Sequence, residues 1–301
     1  MTSTTQAVQK SSLKGSSFAF GVFLVVSGLV FFRAICSWVS YSLSNESASH
    51  VILIPLISAY LLITERARIF ARVRRSLYSG AAVVALGIAL YWTSVGNRVS
   101  WAGSGSLSVM TLALAVVWVG GFLLVYGPDA ARAAWFPLLF LVLMVPLPEA
   151  AQAWAVRTLQ AGSTDVTQAI FNLLGVPVFR QGFVLALPAV TIQVAEECSG
   201  IRSSIALFIT CILAAHFSLR TPWKVVLFLG LVLPLVVIKN GIRIATLTLL
   251  SIYVNSGFLH GRLHRDGGVV FFLLAMLLLL PVFLKLAKSE RPARQQGALA
   301  T

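Results

Sequence analysis

Apolar runs, each closed by a short cluster of charged, glycine or proline residues, set the rhythm of this chain. Eight such runs cover residues 18–38, 51–64, 77–95, 107–126, 135–145, 201–219, 225–254 and 268–284. Crossing a hydrocarbon layer takes about 20 helical residues, and the backbone polar groups inside lipid must be satisfied within the segment, which selects helices. The pattern predicts an all-α integral membrane protein, a bundle of about eight transmembrane helices with interfacial helices on the outer side. The run 51–64 is short for a span. The run 225–254 is too long for one upright helix and carries Pro234 and Lys239-Asn-Gly-Ile-Arg243. It reads as a span that reaches the outer face near Arg243, with an interfacial helix after it.

Between residues 149 and 195 the pattern changes. Trp154, Val156, Leu159, Val166, Ile170, Leu173 and Leu174 recur at helical spacing, with Arg157, Gln160, Asp165 and Gln168 between them. One or two amphipathic helices lying in the interface would show this pattern. Gly175-Val-Pro-Val-Phe-Arg-Gln-Gly182 breaks the helix, and the alternating, β-branched stretch 184–194 predicts a short extended segment. The domain reading is a disordered cytoplasmic tail over 1–17, one multi-span domain over 18–287 with an outer interfacial region at 149–195, and a basic cytoplasmic tail over 288–301.

Composition narrows the class. Of 301 residues, 58% are hydrophobic and 11% charged, with a mean hydropathy of +0.90; no soluble domain of this size buries so much apolar surface. The net charge of +14 does not indicate nucleic-acid binding, because Lys and Arg gather in short loops, most densely in Glu65-Arg-Ala-Arg-Ile-Phe-Ala-Arg-Val-Arg-Arg75. Such loops stay on the cytoplasmic side, which places both termini inside. Lys10 and Lys14 before an apolar run resemble a signal peptide, yet no small-x-small site closes the run, so an uncleaved first span is expected. Three cysteines are too few and too scattered for a disulfide framework or a zinc site. Cys36 and Cys211 lie within apolar runs and read as packing residues.

Cys198 is different. It sits in Val194-Ala-Glu-Glu-Cys-Ser-Gly-Ile-Arg-Ser-Ser204, a polar knot with Glu196, Glu197, Ser199 and Arg202 at the mouth of the run 201–219. Ser199 is a candidate N-cap for the following helix, and a thiol beside a helix N-terminus has a lowered pKa. In this topology Cys198, Arg243 and His264 all fall on the outer side, each near the mouth of a different span. A thiolate attacks a carbonyl, an imidazole moves protons and a guanidinium stabilises developing negative charge, so the trio suits acyl transfer. Each also has a plainer reading: Cys198 as a small buried hydrophobe, Arg243 between Ile242 and Ile244 as a snorkelling cation, His264 as a solvated interface residue. Glu196 and Glu197 more simply counter arginines such as Arg202, and Asn240 orients Arg243 or satisfies backbone at a helix break. His260 and His264 lie four residues apart, but no carboxylate-rich partner set makes them a metal site. No cofactor or metal is expected.

Three segments, Glu197-Cys-Ser-Gly-Ile-Arg-Ser203, Asn240-Gly-Ile-Arg-Ile244 and His264-Arg-Asp-Gly-Gly-Val-Val-Phe271, together resemble the signature segments of the exosortase/archaeosortase family. Ser49-His50, Pro146-Leu-Pro148 and Gly175-Val-Pro-Val-Phe-Arg180 are weaker matches, and the whole covers roughly residues 45 to 275 in the family's order. The resemblance implies a cysteine protease/transpeptidase of the bacterial inner membrane. Its substrates would be exported proteins carrying a C-terminal Pro-Glu-Pro-type sorting signal (PEP-CTERM), and it would be linked to exopolysaccharide and the biofilm matrix. Carried over by residue, Cys198 is the nucleophile, Arg243 the transition-state or substrate-orienting cation and His264 the proton-transfer partner. Glu197, Ser199, Arg202 and Asn240 are supporting residues, and His260 is a competitor for the role of His264. Expected partners are the exported substrates, membrane lipids and an acceptor nucleophile of unspecified identity. A transporter or export component for an anionic envelope polymer, with Lys239 and Arg243 as the binding cations, is the alternative reading.

Overall fold

The computed structural model describes residues 2–71, 73–95, 105–195, 200–259 and 268–290. The helices are α1 (Thr2–Val30), α2 (Phe32–Ser44), α3 (Leu53–Thr64), α4 (Arg66–Ile69), α5 (Leu77–Val95), α6 (Gly105–Ala133) and α7 (Trp135–Phe140). They are followed by α8 (Glu149–Leu173), strands β1 (Phe179–Gln181), β2 (Val184–Ala186) and β3 (Thr191–Gln193), then α9 (Ile201–Ser218), α10 (Pro222–Tyr253) and α11 (Gly268–Lys288). Among the described residues six helices are long and apolar enough to cross a membrane, or seven if Trp135–Met144 and Glu149–Leu173 count as one broken span. The all-α membrane class holds. Two of the eight predicted runs are too short to cross alone: α3 has 12 residues, and the run at 135–145 splits into α7 and a 3-10 turn, Leu141–Met144.

The chain divides into two compact units, Met1–Gln152 and Ala153–Thr301. In the first, α5 and α6 pack through small residues. A Cβ at Gly80 would overlap the Leu124 backbone, and one at Gly120 would lie 2.7 Å from the Val84 nitrogen. Glycines on both helices let the backbones approach, the usual device where lipid leaves no hydrophobic driving force between helices. Beside this seam Phe20, Phe70, Phe122 and Tyr126 stack edge-on or tilted, with centroids 4.7 to 6.2 Å apart. Gly127 carries φ +83° and lies against the Arg74 carbonyl, where any Cβ would collide; this bend is the turn that Gly127-Pro-Asp predicts. Side-chain donors reach carbonyls across the broken helices: Trp38 Nε1 donates to Met144 O at 3.0 Å and Ser58 Oγ to Pro137 O at 2.6 Å.

One expectation changes here. The run 18–38 is not one span, because the helix stops at Val30 and restarts at Phe32.

In the second unit α9, α10 and α11 share a core of Leu207, Cys211, Ala215, Phe228, Val232, Val236, Ala275 and Leu279. Cys211 is buried there as a packing residue. The extended segment is a three-stranded antiparallel sheet, β1-β2-β3. Its β1–β2 turn is two residues long and uses Gly182 at φ +62°, a conformation glycine adopts without steric cost. Period-2 alternation sends Leu185 and Ile192 inward onto Phe171 of α8 and Ala245 of α10. The structure corrects the reading of 225–254: α10 is one helix of 32 residues through Asn240-Gly241, with Pro222 at its start, where its missing N–H costs nothing. Gly241 does not break the helix because it serves packing: a Cβ there would lie 2.5 Å from Val166 Cγ1 and 3.3 Å from the Ser163 carbonyl of α8.

Candidate active site

The site is built where α8 and α10 cross beside the start of α9. Gly162 and Gly241 set the approach, with a Cβ at Gly162 only 2.8 Å from Val237 Cγ1. At this separation side chains between the helices must be short, and those present are polar. Gln160, Ser163, Thr164 and Thr167 of α8 are all buried, at 5%, 0%, 0% and 0% exposure. Spacing i, i+3, i+4, i+7 puts them on one helical face. Thr164 Oγ1 and Thr167 Oγ1 each return a hydrogen bond to the carbonyl four residues back, at 2.7 Å, and Thr167 Oγ1 also reaches Gly241 O at 3.3 Å. Ser163 Oγ accepts from Asn240 Nδ2 at 2.9 Å.

The amphipathic helix expected over 149–174 is present as α8. Trp154 and Leu173 of its apolar set are exposed at 71% and 86%, while Gln160, Ser163, Thr164 and Thr167 are inside. In a soluble helix the polar stripe marks solvent; with lipid outside, apolar residues face outward and hydroxyls find partners within the bundle.

Asn240, buried in α10, also meets Gly200. A Cβ on Gly200 would lie 2.7 Å from Asn240 Oδ1, and Gly200 has φ +69°, so the position favours glycine on two counts. Gly200 is the N-cap of α9, one residue later than the predicted cap Ser199. Its carbonyl is a hub: it accepts from Ser204 N at 3.0 Å, Ser204 Oγ at 2.7 Å and Ser203 Oγ at 3.1 Å. Ser203 Oγ accepts in turn from Lys239 Nζ at 2.6 Å. Upstream, the chain leaving β3 is pinned by Gln160 Nε2 donating to Val194 O at 2.9 Å and by Val194 N donating to Phe183 O at 2.9 Å. Val194, through Gln160 of α8, and Gly200, against Asn240 of α10, are thus both held at the α8–α10 crossing.

Of the predicted site residues, Asn240 lies at the heart of the crossing. Arg243 is half-buried one turn after Lys239 on the same face of α10, and Arg202 is exposed in the first turn of α9. Glu196, Glu197, Cys198, Ser199, His260 and His264 lie outside the described residues. Ser49 and His50 belong to a 3-10 helix, Glu46–Ile52, of the first unit.

Sequence reasoning missed Gln160, Ser163 and Thr167 as site-forming residues, although their i, i+3, i+7 spacing was there to be read. It also missed the role of Arg180 within Gly175-Val-Pro-Val-Phe-Arg180. Its guanidinium pairs with Asp165, donates to Gln168 Oε1 at 3.3 Å and to Gly182 O at 2.9 Å, and so clamps the hairpin to α8.

Apolar helices outside and a polar crossing inside define a multi-pass all-α membrane protein with a polar centre in its second unit. The chain belongs to the transmembrane exosortase family: the family model described as Transmembrane exosortase (Exosortase_EpsH) matches residues 38–281. It is a family of membrane cysteine peptidases and transpeptidases that act on exported proteins with sorting signals. No curated protein and no solved structure matches the chain significantly.

Proposed function

We propose that this protein cleaves Pro-Glu-Pro-type C-terminal sorting signals from exported proteins, on the outer side of a bacterial inner membrane, in the service of exopolysaccharide and biofilm matrix production. Cys198 attacks the scissile carbonyl as thiolate. The C–N bond breaks, the substrate remains as a thioester, and the C-terminal helix and basic tail leave as an amine that takes its proton from His264. Arg243 stabilises the oxyanion. An acceptor amine, or water, then attacks the thioester and restores the thiol.

The observation that carries this reading is the contact of Gly200, two residues after Cys198, with Asn240, three residues before Arg243. It ties the cysteine segment to the arginine segment. The transporter reading needs Lys239 open to a mobile anion, whereas its Nζ donates to Ser203 and the residue is 1% exposed.

The test pairs the protein with a substrate bearing a Pro-Glu-Pro motif, an apolar span and a basic tail, and follows loss of a C-terminal tag by mass. Cys198→Ala should lower cleavage by at least about 10³-fold, and Arg243→Ala by about 10²–10³-fold. His264→Ala should lower it by about 10²–10⁴-fold. Undiminished cleavage by Cys198→Ala would end the proposal.

A further inference from the structure

Lys239 is the feature the proposed chemistry leaves unused. It is 1% exposed, lies in the middle of a membrane-spanning helix, and forms no ion pair with a carboxylate among the described residues. A buried ammonium held by a neutral hydroxyl is costly, and replacing a buried charge by an apolar residue of similar size often leaves stability equal or higher. Stability alone gives little reason for a lysine here. Ionisable residues inside membrane helices generally mark function.

The bonds it makes show where its effect goes. Nζ donates to Ser203 Oγ at 2.6 Å, and Ser203 Oγ donates to Gly200 O at 3.1 Å. The charge is thus relayed through one hydroxyl to the N-cap carbonyl of α9, the residue that Asn240 braces from the other side. We infer that Lys239 is a positioning residue for the thiol chemistry: through Ser203 it fixes Gly200 and the first turn of α9, which begin two residues after Cys198 in the sequence. A charge-assisted bond is stronger and more directional than one between neutral groups, which suits a cation to the task. Arg243, one turn on, remains the group that meets the substrate.

The inference rests on Cys198 as nucleophile, so the test separates the two. Lys239→Met, Lys239→Arg, Ser203→Ala, the Lys239→Met/Ser203→Ala double variant and Cys198→Ala are assayed on the tagged substrate, with thermal midpoints in detergent. Lys239→Met should keep or raise the midpoint, lower kcat by about 30-fold and leave KM within about 3-fold, the signature of an arrangement lost at the reacting centre. Lys239→Arg should recover most of kcat. Ser203→Ala should lower kcat by about 5- to 10-fold, and the double variant should be no worse than Lys239→Met, because the two act in one chain. A kcat within about 2-fold of wild type in Lys239→Met overturns the inference. If that variant fails to accumulate, wild-type kcat in Ser203→Ala overturns it equally. Cleavage surviving in Cys198→Ala defeats the transpeptidase reading itself, while loss there with unchanged Lys239→Met defeats only the positioning role.

Discussion

The two units join their helices through glycines alike but differ in what they place beside them. In Met1–Gln152 the tightest helix pair, α5 and α6, is joined by glycine against backbone and flanked by rings: Gly80, Gly87 and Gly120 on the seam, Phe20, Phe122 and Tyr126 beside it. In Ala153–Thr301 the crossing of α8 on α10 also uses glycines, Gly162 and Gly241, but buries Ser163, Thr164, Thr167 and Asn240 beside them, with Lys239 buried toward Ser203 of α9. Van der Waals packing between small residues is enough to hold helices together in lipid. The second unit buries an amide and an ammonium as well as hydroxyls, and it does so where Gly200 meets Asn240. The first unit also buries polar side chains, but all of them are serine or threonine; among the described residues the buried amides and ammonium belong to the second.

The comparison is most easily broken in the glycine seam of α5 and α6. A valine at Gly120 puts its Cβ 2.7 Å from the Val84 nitrogen and 2.8 Å from Val84 Cγ2, so α5 must shift along its length. The expected loss is about 3 kcal/mol or more, seen as failure to accumulate or a collapsed thermal midpoint, with no separate effect on cleavage per folded molecule. A Gly120→Val protein that folds normally but cleaves slowly would show that the first unit is more than scaffold.

The converse holds at Gly200. Alanine there meets Asn240 Oδ1 at 2.7 Å and must hold φ near +69°, a left-handed conformation that costs an L-residue about 1–2 kcal/mol. Cleavage should fall by about 10²-fold, the scale of a small misplacement at a reacting centre, well beyond what the stability loss explains. Equal and proportionate losses of fold and cleavage would place Gly200 with the structural glycines of the first unit.

How much of this was legible in the sequence follows the same division. The third span, Leu77–Val95, matches its predicted bounds, the turn at Gly127-Pro-Asp is where turn chemistry places it, and the β-branched stretch before the cysteine folds as a hairpin. These are local signals, and local rules read them. Asn240-Gly241 looked like a helix break because Asn and Gly punctuate chains in water, yet here glycine is spent on the approach of α8, a tertiary fact. The hydroxyl stripe of α8 stood in the sequence but went unread, because the choice between lipid and bundle interior inverts the usual meaning of polarity. Lys239 was a binding cation only in the transporter alternative, and its bond to Ser203 shows it tied inward.

The smallest expected effect lies at the far end of the second unit's helices. Glu290, just past α11, accepts from Thr221 N at 3.2 Å and lies 3.4 Å from Lys224 Nζ, while Lys224 also donates to Ser289 Oγ at 2.9 Å. The Thr221 side chain and backbone N–H, and after them Lys224, hold the Glu290 carboxyl below its ordinary range. A depressed carboxyl contributes stability that is fully present above its unfolded pKa, near 4.3, and is lost as the pH falls through the lower folded value. The thermal midpoint of the wild type should therefore exceed that of Glu290→Gln at pH 7, and the gap should close between about pH 5 and pH 3. Salt should narrow it as well, since a rim pair is screened where a buried one is not. Cleavage should not change at all. A Glu290→Gln protein with normal stability and impaired cleavage would move this latch out of the scaffold and set it beside Lys239 and Arg243 among the charges spent on the chemistry.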